Sequence, residues 1–191
     1  TLTFEHPADA VVSRFFRDNR GLGPRERATL AETVYTVLRK KLLFDHMAPS
    51  GSGPKERRLA ILGFHGPRDF LLGGLTDQEK NWLEQCDSVK PDDLMERHRH
   101  NLPEWLVQPL KDQLGAGFWP LVESLSQSAP LDLRVNALKE KRADVQKELA
   151  KAAIKSVATP YSPWGLRIDD KPALTKLDAF TRGAIEVQDE G

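Results

Sequence analysis

The sequence predicts an α+β protein, in which a helical first part is followed by a small part that combines strands with helix. Up to about residue 127, apolar side chains recur with the period of a helix. After Ala129 the segment PLDLRVNAL alternates strictly between apolar and polar residues. This alternation places Leu131, Leu133 and Val135 on one face of a strand and leaves the other face polar. A composition of 39% apolar and 29% charged residues is that of a globular protein and argues against disorder.

Apolar stripes, caps and breakers define the helices of the first part. A first helix begins near Pro7, because proline suits a first helical turn, and the segment NRGLGP (19–24) ends it. A second helix is predicted from Arg25 to about Asp45. Arg27 falls on its apolar row and is expected to be partly buried and paired with an acid or with helix ends. Further helices are predicted at 54–65, 67–73, 77–86 (with Thr76 or Asp77 as N-cap), from Pro103 to Leu114, and at 117–127.

The second part is predicted to form a small sheet with one face covered by helix. The expected elements are a strand at 131–136, a helix at 142–153, and strands at 154–158, 165–168 and 184–188. Open sheet faces of this kind often bind single-stranded RNA, which requires aromatic side chains for base stacking. The first strand has none. Tyr161 and Trp164, in the turn TPYSPWG, are the nearby aromatic candidates, and the alternative is that both cap the core.

The residues do not assemble an active site. The sequence contains no glycine-rich phosphate loop and no nucleophile elbow. Cys86 is the single cysteine, which excludes an internal disulfide, and its place at the end of an amphipathic helix predicts a buried or inert thiol. His98 and His100 have the spacing of a strand and lack further ligands at metal-binding spacing. They are expected to be surface histidines, and no metal site is predicted.

Charge is unevenly distributed, although Lys+Arg and Asp+Glu both number 28. Residues 14–41 carry eight bases against three acids, and residues 131–159 carry seven against four. An anionic partner would bind at these segments, because the guanidinium fork matches phosphate oxygens, but solvated faces would give the same pattern. Helical phase predicts that Arg14, Arg17 and Arg39 are exposed. The candidate RNA-binding residues are Arg134, Asn136, Lys139, Lys141 and Arg142 in the second part and Arg14, Arg17, Arg25 and Arg39 in the first.

Several segments resemble a known family. GLGPRERATLAETVYTVLR (21–39) resembles the NusB-like domain that precedes many bacterial rRNA methyltransferases. The ordered segments HNLPEWLVQPLKDQLG, APLDLRVNALK, TPYSPWGLRI and GAIEVQDEG are similar to the region ahead of the catalytic domain in the RsmB/NOP/Sun (Fmu) family. Its members are S-adenosylmethionine-dependent RNA cytosine-C5 methyltransferases. The resemblance implies an all-α NusB-like domain over 1–90. It also implies a pre-catalytic domain over 91–191, with helices at 102–127 and an RNA-recognition-like part at 129–191.

The resemblance also implies a function. The catalytic domain, with its two reactive cysteines and its S-adenosylmethionine pocket, would follow Gly191; Cys86 matches neither cysteine motif. This chain is therefore expected to hold no cofactor, to be inactive alone, and to bind ribosomal RNA as a cytoplasmic monomer without membrane or metal. Two alternatives are a freestanding NusB-like antitermination factor, which would leave the sheet region unexplained, and a protein-interaction module whose basic faces are solvated.

Overall fold

A computed structural model describes residues 6–169 and 172–190, so Gly191 at the end of GAIEVQDEG lies outside the described residues. The chain forms two compact units, Thr1–Gln127 and Ser128–Gly191. The first holds most of the helices, and the second holds the sheet together with two further helices. The division between the units follows Gln127, whereas the predicted domain boundary at residue 90, within the linker candidate DSVKPDD (87–93), stays a prediction.

The first unit is helical throughout its described length. Its α-helices are α1 (Ala8–Asp18), α2 (Pro24–Arg39), α3 (Lys41–Met47), α4 (Lys55–Leu62), α5 (Arg68–Gly73), α6 (Asp77–Ser88), α7 (Glu96–His100), α8 (Glu104–Leu114) and α9 (Phe118–Ser126). Short 3₁₀ turns lie at Ala48–Ser50, Pro91–Asp93 and Gly115–Gly117. No helix of the described chain is both long enough and apolar enough to cross a membrane.

The N-terminus of α6 has the cap that its sequence predicts. The Thr76 hydroxyl accepts the Glu79 N–H at 3.2 Å, and the Glu79 carboxylate accepts the Thr76 N–H at 2.8 Å. Two donors without intrahelical partners are thereby satisfied. The Arg57 guanidinium, 2.5 Å from the same carboxylate, helps to lower the pKa of Glu79 to about 2. Cys86 lies at the end of this helix and is buried, as predicted, and burial raises the pKa of its thiol.

The predicted single helix from Arg25 to Asp45 is wrong, because the chain breaks at Lys40 (φ −110°, ψ 29°) and restarts as α3. A restart leaves new backbone N–H groups without intrahelical partners. One of them, the Leu43 N–H, is accepted by the side-chain oxygen of Asn101 at 3.0 Å. This partner is 58 positions away along the chain. The break is therefore stabilised by a tertiary contact.

The prediction that His98 and His100 are surface histidines is also wrong. Both lie on α7 and are buried, with 1% and 5% of their surface exposed. The His98 ring stacks on His46 of α3 with centroids 4.0 Å apart, and the His100 Nδ1 accepts the Leu102 N–H at 2.9 Å. Burial lowers the pKa of both imidazoles. The two histidines therefore belong to the packed interior of the helical unit.

The second unit is a four-stranded antiparallel sheet with strand order β2-β3-β1-β4. Its elements are β1 (Leu131–Val135), α10 (Arg142–Lys151), β2 (Val157–Ala158), β3 (Gly165–Ile168), a 3₁₀ turn (Leu174–Lys176), α11 (Asp178–Thr181) and β4 (Ile185–Val187). The order β-α-β-β-α-β is that of the ferredoxin-like fold. The predicted α+β class is confirmed. The sequence missed α11 and gave β2 three residues too many.

One face of this sheet forms the core of the unit. Leu133 and Val135 of β1 and Leu166 of β3 are almost completely buried. They pack with Val145 and Leu149 of α10. The alternation of β1 thus places its apolar side chains against helix, as the sequence predicts, and leaves the opposite face of the sheet to polar side chains.

Candidate nucleic-acid interface

The open face of the sheet is mainly polar, although Val157 of β2 also lies on it, opposite Arg167. Because directly opposed residues of antiparallel strands share a face, the register places Asp132 beside Arg167 and Arg134 beside Glu186. Gly165 lies on the other side of Arg134. Along β1 to β4, the described strand residues on this face include no aromatic side chain.

Asp132 and Arg167 hold the two central strands together across this face. Nε and Nη2 of Arg167 each donate to one carboxylate oxygen of Asp132 at 2.7 Å. The Asp132 side chain is only 6% exposed, and its bond to Arg167 lowers the pKa of the carboxyl. A bidentate pair of this geometry fixes the guanidinium. Arg167 therefore has a structural role, because both of its bonds to Asp132 join β1 to β3. The other arginine on this face is Arg134.

Arg134 is exposed, with 53% of its side chain accessible. Its Nη1 donates to the Gln188 side chain at 3.2 Å and lies 3.9 Å from the Glu186 carboxylate. Exposed ion pairs of this length contribute little free energy. A phosphate oxygen could replace either contact at small cost, so Arg134 retains its capacity to bind an anion.

The turn after β1 holds the other candidates, and most of them have structural partners. The Asn136 side chain accepts the Leu138 N–H at 3.1 Å and donates to the Gly183 carbonyl at 3.3 Å, so it shapes the turn. Lys139 donates to the Arg182 carbonyl at 2.5 Å, and Arg142 to the Ser162 carbonyl at 3.2 Å. Among these candidates, Lys141 is exposed, as Arg134 is, whereas Asn136, Lys139 and Arg142 donate to main-chain carbonyls.

The arginines of the helical unit differ in accessibility. Arg14 and Arg17 of α1 are exposed, as predicted, and Arg25 in the first turn of α2 is exposed as well. Arg39 is not: its side chain is 22% exposed and pairs with Glu32 at 3.4 Å, so its predicted exposure is wrong. Arg27 is partly buried as expected, but its partners are main-chain carbonyls of the preceding loop, with Nε 2.8 Å from the Leu22 oxygen.

The aromatic residues before β3 are exposed. Tyr161 is 89% exposed and Trp164 is 44% exposed. The alternative that both cap the core is therefore wrong for Tyr161, and nearly half of Trp164 remains available to a ligand. The sequence signal for them was their place in a proline- and glycine-rich turn next to a polar sheet face.

Two depressions meet at Trp164 and Arg134, and both residues line each of them. One, of about 350 Å³, extends over the turn after β1, with Asn136, Leu138 and Glu186 among its walls. The other, of about 230 Å³, extends toward Gln188. The position of the pair between the two depressions makes Trp164 and Arg134 the centre of the candidate interface.

The helical unit carries a different kind of surface. A groove of about 450 Å³ runs between α1, α2 and α4 and is mainly apolar. None of the α1 residues is buried, and Phe15 and Leu30 on the groove walls are 47% and 38% exposed. The apolar residues lining the groove are Val11, Val12, Phe15, Phe16, Leu30, Val34, Val37, Leu38, Leu59 and Ala60. The polar residues of its lining are Thr33, Lys41, Asp45, Lys55 and Glu56, and Asp45 pairs with Lys41 and Lys55.

Comparison with known proteins connects this architecture to methyltransferases. Residues 102–175 match the model of the ferredoxin-like domain of RsmF/B-like methyltransferases. Over 95% of its length, the chain is 32% identical to a probable ribosomal RNA small subunit methyltransferase B of Synechocystis. The chain belongs to the RsmB/NOP/Sun family.

Other relatives agree with this membership. The methyltransferase B of Pasteurella multocida is 33% identical over 96 residues, and that of Photorhabdus laumondii is 30% identical over 90 residues. The chain spans about half the length of the Synechocystis relative, 48%, and 21% of each of the other two. The family assignment predicted from the sequence motifs is confirmed.

A solved structure shares the fold. The crystal structure of PH0851 superposes on 98% of this chain, and on 50% of its own, with a TM-score of 0.68 and 19% identity. At this identity the likeness concerns the fold alone. It shows that the helical unit and the small sheet occur together, in this order, in another protein.

Proposed function

We propose that this chain is the RNA-binding region of a ribosomal RNA cytosine-C5 methyltransferase, and that it positions ribosomal RNA for a catalytic region elsewhere in the protein. The observation that carries the proposal is Arg134, an exposed guanidinium on an open sheet face next to an exposed indole. Lys141 adds a second exposed cation at the end of the same sheet. Aromatic and guanidinium groups together bind the base and the phosphate of single-stranded RNA.

The described residues do not fit a site for the methyl donor. S-adenosylmethionine is the donor that the family resemblance implies, and its binding would need a strand followed by a glycine-rich loop and a helix. The described sheet is antiparallel, and the loop from β1 to α10, residues 136–141, contains no glycine. We therefore assign donor binding to none of these residues, and we expect the isolated chain to leave RNA unmethylated.

RNA binding is tested directly with a fluorescein-labelled hairpin from small-subunit ribosomal RNA, by fluorescence anisotropy at several salt concentrations. We expect a dissociation constant in the micromolar range or below. The logarithm of the association constant should fall linearly with the logarithm of salt concentration, with a slope of roughly 0.7 per single-strand phosphate contact. Arg134→Ala should weaken binding and should reduce the salt slope by the contribution of about one phosphate contact.

Arg68→Ala is the matched control, because Arg68 is an exposed arginine of the helical unit that pairs with Asp87 and lies outside the proposed interface. It should leave both the affinity and the slope unchanged. If the unmodified chain does not bind the hairpin even at low salt, or if Arg134→Ala and Arg68→Ala behave alike, the proposal fails.

A further inference from the structure

The main chain of Trp164, whose indole is exposed, is fixed by hydrogen bonds to neighbouring residues. The Trp164 carbonyl accepts the Val135 N–H of β1 at 2.9 Å, and the Trp164 N–H approaches the Ser162 hydroxyl at 3.3 Å. Trp164 therefore adds one hydrogen bond beyond the last register pair, Arg134 and Gly165, and immediately precedes β3. A side chain on a strand end is positioned more rigidly than one on a free loop.

The loop that carries Trp164 is itself fastened to the sheet. The Glu190 carboxylate, beyond β4, accepts the main-chain N–H groups of Tyr161 and Ser162 at 2.7 and 2.6 Å. Although burial alone would raise the pKa of Glu190, these hydrogen bonds help to lower it. The carboxylate is thus ionised at neutral pH and keeps the loop closed against the segment after β4.

Exposed apolar side chains that lie together in one patch mark a binding surface, whereas isolated ones do not. Leu138 is 98% exposed in the turn after β1, and it lines the same depression as Trp164. The walls of that depression also carry Arg134 and Glu186, so the indole lies beside groups that can contact phosphate and exchange hydrogen bonds with a base. This mixture suits a nucleotide better than an apolar peptide face, because a protein interface core is depleted of charge.

We propose that Trp164 is a base-stacking subsite that holds one unpaired nucleotide, with the base on the indole and the adjoining phosphate on Arg134. The inference rests on the RNA-binding function proposed above and goes further by naming the residue that holds the base. The depression of about 350 Å³ next to the indole accommodates a single nucleotide at the turn end of the sheet.

The test is a cycle in which protein and RNA are changed together. Binding of a short single-stranded ribosomal RNA oligonucleotide is measured by anisotropy for the unmodified chain and for Trp164→Ala, and then repeated with oligonucleotides that carry one abasic site at each position in turn. We expect Trp164→Ala to weaken binding by roughly 5- to 150-fold, the range for loss of one stacked base. One abasic position should weaken binding to the unmodified chain by a similar factor and should have no further effect on Trp164→Ala.

Two further variants separate stacking from folding. Trp164→Phe keeps an aromatic ring and should retain most of the affinity, while its main-chain bonds to β1 are unchanged. Trp105→Ala removes an indole that is 74% exposed on α8 of the helical unit, and it should bind as the unmodified chain does. Matching amide hydrogen exchange in β1 and β3 would show that the sheet is intact in each variant.

The outcomes distinguish the two proposals. Suppose that the unmodified chain binds RNA and that Arg134→Ala weakens this binding. The subsite is then refuted, while RNA binding stands, if Trp164→Ala has no effect on affinity. The same conclusion follows if the loss of affinity in Trp164→Ala adds to that of every abasic substitution. If the unmodified chain does not bind RNA at all, both proposals fail. If Trp164→Phe loses as much as Trp164→Ala, with intact exchange, stacking is not what the residue provides.

Discussion

Replacing Gly165 by alanine should destabilise the sheet through one identifiable contact. A Cβ built on Gly165 would overlap the Thr159 hydroxyl and lie 3.0 Å from the Thr159 Cβ and 3.1 Å from its Cγ2. Thr159 is 5% exposed and has a branched, stiff side chain, so it cannot simply rotate away. The φ angle of Gly165 is not in the left-handed region, which leaves this contact as the source of any penalty. Overpacking of this kind costs about 1–3 kcal/mol.

The contact can be removed from the other side. Thr159→Ala deletes the hydroxyl and Cγ2, so Gly165→Ala should cost clearly less in that background, with a coupling free energy of about 1–2 kcal/mol between the two positions. Gly73→Ala is the control, because a Cβ there meets nothing within 4 Å. Because Gly73 lies on α5 of the helical unit, the effect of Gly73→Ala is measured on the amides of that unit, where it should be neutral or stabilising by about 0.4–1 kcal/mol.

The assay must report on the sheet unit alone, because the chain has two compact units and a global unfolding curve would mix them. Native-state amide hydrogen exchange, followed on peptides that contain β1 and β3, gives the free energy of opening for this unit. If Gly165→Ala leaves these amides as protected as before, or if its cost is the same with and without Thr159→Ala, the steric explanation is refuted.

Two further expectations concern the helical unit. Because burial lowers the pKa of His98 and His100, the unfolded chain binds more protons as the pH falls below about 6.5, and the free energy of unfolding should fall by about 1.4 kcal/mol per pH unit for each extra proton. Urea unfolding at pH 7.5 and 5.5, followed by amide hydrogen exchange on peptides of the helical unit, should show this loss. His98→Phe should reduce the loss and the exposed His65→Gln should not, and an unchanged pH dependence in His98→Phe would contradict the assignment. Asn101 has a left-handed backbone (φ 52°) and its side chain caps α3, so Asn101→Ala should cost about 1–2 kcal/mol in the same assay. Asn101→Gly loses the same side-chain hydrogen bonds, to the Leu43 N–H and the His98 carbonyl, but glycine adopts the left-handed backbone readily. It should therefore cost less than Asn101→Ala, and equal costs would mean that the left-handed backbone contributes nothing.

Local patterns were sufficient to predict much of this chain. The stripe of α1, the cap at Thr76 and the alternation of β1 each involve residues within about one or two turns of each other, so their physical causes are present in the sequence. The ordered motifs likewise predicted the family. The open polar face and Arg134 upon it followed from the period of a strand, since successive side chains alternate between faces.

Long-range contacts decided the rest. The break at Lys40, the five-residue helix α7 and the burial of His98 all depend on Asn101 and His46, which meet only in the folded unit. A helix as short as α7 is not stable by its own propensity, so a local sequence pattern does not predict it.

The same limit applies to the candidate site. The sequence by itself determined which residues carry cationic and aromatic groups, because that is a matter of composition and spacing. Only the tertiary structure decided which of them are available: Arg167 is held by Asp132 and Arg39 by Glu32, whereas Arg134 and Trp164 remain exposed side by side around two depressions. The physical reason is that availability depends on partners brought from elsewhere in the chain, and those partners are fixed by packing.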